Sequence, residues 1–95
     1  MTVKSQIYTS KGRMFTEFQF SKQAIKFLNK QPLRIRQLIV QAIKQIPEGD
    51  IVKLQGRDGY RLRVGSYRVI FNHDGHVVFI SKIGNRGDVY KGGKN

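Results

Sequence analysis

The chain has 95 residues, with 18 lysines and arginines against 6 acidic residues and a formal net charge of +12, so its partner is expected to be acidic: nucleic acid first, an acidic protein segment second. At 39% apolar content it can bury the core of a single domain. The lack of cysteine excludes disulfides, thiolate zinc sites and a cysteine nucleophile, and no apolar run is long enough for a membrane span or signal-peptide core, which makes a cytoplasmic protein the expectation.

Residues 1–13 are polar and basic, with Lys4, Lys11 and Arg13, and read as an extension ahead of a single domain spanning 14–95. From Met14 an imperfect alternation sets Met14, Thr16, Phe18 and Phe20 against Phe15, Glu17 and Gln19, the pattern of a strand. Ser21 stands where an N-cap belongs, ahead of Ala24, Ile25 and Leu28 at helical spacing. A second helix is predicted from Pro32, because Ile35, Leu38, Ile39, Ala42, Ile43 and Ile46 recur on one face until Pro47. Arg34, Arg36, Gln37, Gln41 and Lys44 occupy the other face. The short connection between the two predicts an antiparallel helical hairpin.

Strands are expected at about 51–55, 60–65, 67–72 and 76–83, antiparallel because their connections are short. A two-residue turn at Gly65-Ser66 places Val64 opposite Tyr67, Arg63 opposite Arg68, Leu62 opposite Val69 and Tyr60 opposite Phe71. Tyr60, Leu62, Val64, Tyr67, Val69 and Phe71 then form an apolar face for the helices, and Arg61, Arg63 and Arg68 share the other with Ile70. Like charges set opposite one another destabilise a sheet, so side-by-side guanidinium groups argue for a polyanionic ligand. A second turn at Asp74-Gly75 pairs His73 with His76, Phe71 with Val78, Ile70 with Phe79 and Arg68 with Ser81, adding Ser81 to the arginine face beside Lys82. The histidines lie about 16 Å along the strand from Arg68, too far to serve as its acid and base. No nucleophile motif, phosphate loop or metal-ligand cluster is evident, and no cofactor is expected.

The pattern Lys53-Leu54 with Gly56, Tyr60-Arg-Leu-Arg63, Ser66-Tyr-Arg-Val-Ile-Phe71 and Gly84-Asn-Arg-Gly-Asp-Val-Tyr90, after two helices, resembles the RelE toxins of the RelE/ParE superfamily over about Met14 to Tyr90. The resemblance implies an α+β fold in which an N-terminal strand and a helical hairpin pack on a small antiparallel sheet. It implies a toxin that cleaves messenger RNA in the A site of the 30S ribosomal subunit, without a metal, and that is neutralised by a cognate antitoxin, the toxin being monomeric when free. It implies that Arg61, Arg63, Arg68, Arg86 and Tyr90 carry the activity; together with the arginine face read from the strand register, the residues expected to hold RNA are Arg61, Arg63, Arg68, Ser81, Lys82 and Arg86. Arg61 and Arg63 stand where RelE itself has lysines, and arginine is a poor general base. Tyr90 becomes the better proton acceptor, since neighbouring guanidinium groups favour a phenolate. Two other readings stand beside the nuclease: a ParE-like inhibitor of DNA gyrase, and a non-enzymatic RNA- or ribosome-binding module. Against the module counts an expected scarcity of exposed aromatics on the arginine face.

Overall fold

A computed structural model of the chain describes residues 2–8 and 14–85, with side chains from residue 17 onward. The elements run β1 (Thr2–Tyr8), β2 (Met14–Phe20), α1 (Lys22–Asn29), α2 (Leu33–Lys44), β3 (Asp50–Lys53), β4 (Tyr60–Val64), β5 (Tyr67–Asp74) and β6 (Val77–Asn85). The strands form one sheet in the order β1-β2-β6-β5-β4-β3. Local connections produce its antiparallel neighbours; β2 and β6 are distant in sequence and run parallel, with Phe18 opposite Val78 and Phe20 opposite Ile80. The sheet is therefore mixed where the sequence pointed to an antiparallel one. Residues 2–8, within the stretch read as a basic extension, form the edge of the sheet: β1 pairs with β2, which would otherwise expose a row of unpaired backbone groups.

Alternation decides the inner face. Phe18, Leu62, Val64, Val69, Phe71, Val78, Ile80 and Ile83 meet Ala24, Leu28, Ile39, Ile43 and Ile46 in one core. Helix α1 lies over β6 and α2 against β4. The buried stripe of α2 centres on Ile39 and Ile43, with Ile35, Val40 and Ala42 packed partly against the core. Leu38, expected within that stripe, lies on its rim and is 51% exposed.

Helix α1 is fastened to β6 by polar side chains. Ser21 Oγ accepts the Ala24 N–H at 3.1 Å as N-cap and donates to the Ser81 carbonyl at 2.8 Å. Strand β2 ends at Phe20, so beyond Ile80 one edge of β6 has lost its neighbour. The Gln23 carboxamide takes that place: Nε2 donates to the Ile83 carbonyl at 2.8 Å and Oε1 accepts the Ile83 N–H at 2.9 Å. One side chain thus satisfies a donor and an acceptor that would be costly to bury unpaired.

Candidate nucleic-acid interface

The first hairpin follows its alternation. Gly65 supplies the positive φ, +60°, that a two-residue turn requires, and Tyr60 pairs with Phe71, Leu62 with Val69, Arg63 with Arg68 and Val64 with Tyr67. On the inner side Tyr60 stacks on Phe71 at 5.5 Å between ring centroids and on His73 at 5.4 Å. Tyr60 is thus held in an aromatic stack that continues the core.

The second hairpin differs from expectation. Asp74 pairs with Val77, which makes Gly75-His76 the turn, with Gly75 at φ +59° in its first position. A turn at Asp74-Gly75 of the mirror-image type needs positive φ at aspartate as well; shifting by one residue confines it to glycine. His73 accordingly pairs with Val78 instead of His76. A bulge follows, because Phe71 pairs with Ile80 and Ile70 with Lys82, leaving Ser81 as the extra residue. Ser81 Oγ donates to the Ile70 carbonyl at 3.1 Å, and Arg68 faces Gly84. Ser81 is therefore not the partner of Arg68, and Lys82 joins the basic face directly.

Across the outer face, away from the helices, two rows run from β3 to β6: Asp50, Arg63, Arg68 and Gly84; then Val52, Arg61, Ile70 and Lys82. Four basic side chains stand within two rows, a density that suits phosphate oxygens. They are not equivalent. Arg63 Nε lies 2.6 Å from Asp50 Oδ2 in an exposed ion pair. Arg68 is 8% exposed, and its Nη1 donates to the Gly65 and Tyr67 carbonyls, both at 3.0 Å, so it braces the turn from which the rows begin. Arg61 and Lys82 are half-buried. Arg86 and Tyr90 lie outside the described residues. Among the described residues no group of three histidine, cysteine, aspartate or glutamate side chains is placed to hold a metal, and no helix is long and apolar enough to cross a membrane.

One member of this face escaped the sequence reading. Asp50 sits at the strand edge, where only the register with Arg63 reveals it. Phe79, set on this face opposite Ile70 by the expected register, projects from β6 opposite Asn72 instead and is 38% exposed.

The geometry has parallels among solved structures. A chain of the RelB-RelE antitoxin-toxin complex from Methanococcus jannaschii superposes with a TM-score of 0.65 and 26% identity, over 80% of this chain and 99% of that one. A chain of the archaeal RelE-RelB complex from Pyrococcus horikoshii OT3 gives 0.60 and 30%, over 74% and 93%. A chain of the toxin-antitoxin complex RelBE2 from Mycobacterium tuberculosis gives 0.56 over 73% and 95%; at 22% identity this is a likeness of fold. No protein-family model and no curated protein matches the sequence. The chain has a RelE-like α+β fold.

Proposed function

We propose that this chain is the toxin of a toxin–antitoxin pair and a RelE-type ribonuclease that stops translation by cutting messenger RNA in the ribosomal A site. The observation that carries the reading is the pair of basic rows, Arg63 with Arg68 and Arg61 with Lys82, on the sheet face opposite the helices. The fold likeness to chains of RelB-RelE complexes supports it.

In this reading the ribose 2′-hydroxyl attacks the adjacent phosphate. Tyr90, as its phenolate, takes the hydroxyl proton; Arg61 and Arg63 hold the phosphate and its growing charge while the 2′-oxygen bonds to phosphorus to give a 2′,3′-cyclic phosphate; and Arg86 supports the 5′-oxygen, which departs with a proton from water. Arg68 keeps the β4–β5 turn in shape and adds its positive charge from beneath the same face. Arginine does not give up its proton at neutral pH, so the site lacks an ordinary acid–base pair, and the ribosome supplies the missing alignment of the RNA. The antitoxin is an acidic partner covering the basic face.

The deciding assay maps cleavage of a defined messenger on programmed ribosomes and on the same RNA free in solution. Cuts within the A-site codon, with slow cleavage of free RNA, are expected. Equal rates with and without ribosomes would remove the ribosome from the mechanism, and inhibition of gyrase supercoiling with intact messenger would move the protein to the ParE-like reading.

A further inference from the structure

We propose that Phe79 is a stacking platform for an unpaired base of the RNA strand whose backbone the basic rows hold. This rests on the reading of the outer face as an RNA-binding face and adds a subsite to it. Val78 and Ile80 point into the core, so the Phe79 ring leaves the sheet on the outer side, and the inner core does not include it.

A solitary exposed phenylalanine needs no function. The setting of this one distinguishes it. Its register partners are Gln19 on β2 and Asn72 on β5, so a carboxamide stands on each side. Gln19 Nε2 donates to Glu17 Oε2 at 2.7 Å, and Asn72 Oδ1 accepts the His73 N–H at 2.9 Å. Gln19 therefore keeps a carbonyl oxygen, and Asn72 an amide donor, for the edge of a base.

Charge orders the face around this row. On one side, about 7 Å along the strands, lie Lys82 and Arg61 with Ile70 between them. On the other lie Glu17 and Asp74, both in register with Val77, with Lys4 next to Glu17 in the same row. A phosphate is drawn to the first, which has no carboxylate, in preference to the second. The uncharged row of Gln19, Phe79 and Asn72 between them suits the uncharged part of a nucleotide, its base. Stacking on a phenyl ring tolerates any base, so this subsite places the strand without reading its sequence.

The test uses the full chain and a short single-stranded 2′-O-methyl oligoribonucleotide containing 2-aminopurine, which 2′-hydroxyl attack cannot cleave. Binding and fluorescence quenching are measured for the wild type, Phe79→Leu, Phe79→Trp and Arg61→Ala across a salt series. Phe79→Leu is expected to weaken binding about 5- to 150-fold and to lose the quenching, with the salt slope unchanged because no phosphate contact is lost. Phe79→Trp should retain both. Wild-type affinity and quenching in Phe79→Leu, with weakened binding in Arg61→Ala, would overturn the stacking subsite and leave the RNA-binding face standing. A wild-type protein that fails to bind the oligonucleotide would overturn both.

Discussion

The arginines of the outer face share a charge and differ in task. Arg68 uses one nitrogen on two carbonyls of the turn, so Arg68→Ala is expected to lower stability by about 1.5–3 kcal/mol, read as a shift of the urea midpoint, before any effect on RNA is counted. Arg63 is held by Asp50. Asp50→Asn should change stability by less than about 1 kcal/mol, as exposed ion pairs do. It should tighten RNA binding by up to about fivefold at low salt, since a unit charge about 4 Å away is worth about 1 kcal/mol in water. Tyr90→Phe keeps the ring and removes the hydroxyl; a fall of about 10² to 10⁴ in single-turnover cleavage with ribosome affinity unchanged is the expected outcome if the phenol moves the proton. Arg61→Lys should preserve much of the activity, because it restores the residue type that RelE carries. A wild-type rate in Tyr90→Phe would transfer the proton acceptor to the ribosome or the RNA.

Among the elements, β6 depends most on help from outside the sheet. Gln23→Ala removes both hydrogen bonds to Ile83, and a loss of about 1–3 kcal/mol, with faster hydrogen exchange at the Ile83 amide, is expected. The same strand marks the boundary of what was legible in the sequence. The first hairpin could be read residue by residue, because alternation and a glycine turn fixed one register in which both faces made sense. The second hairpin gave no such check: a slip of two residues keeps every side chain on its face, so pairing Phe71 with Val78 looked as sound as the observed Ile80. The Ser81 bulge then shifted the remaining pairs by one more, which moved Ser81 off the arginine row. Leu38 fitted an apolar stripe by spacing alone, while the width of the stripe is set by where α2 meets β4. The pairing of β1 with β2 had only a weak signal in residues 1–13, because Thr2, Val3, Ile7 and Tyr8 do not keep one alternation across the irregularity between Lys4 and Ile7.

At the scale of the whole molecule, the net charge of +12 governs encounters. Association with an acidic antitoxin segment should be fast at low ionic strength and slow steeply as salt screens it. An on-rate that stays level across the salt series would mean that the partner binds away from the basic face. The place of β6 in the strand order carries a consequence of another kind. Among the described residues it is the third strand of six in space and the last in sequence, and it alone joins β1 and β2 to β5, β4 and β3. As the nascent chain emerges, the strand pairs on either side form without a common sheet until residues 77–85 have left the exit tunnel. Lys82, the Phe79 row and the brace on α1 all come into being with β6, whereas Arg61, Arg63 and Arg68 already share the β4–β5 hairpin, so a chain that stops short of residue 77 carries the arginines without the rest of the outer face.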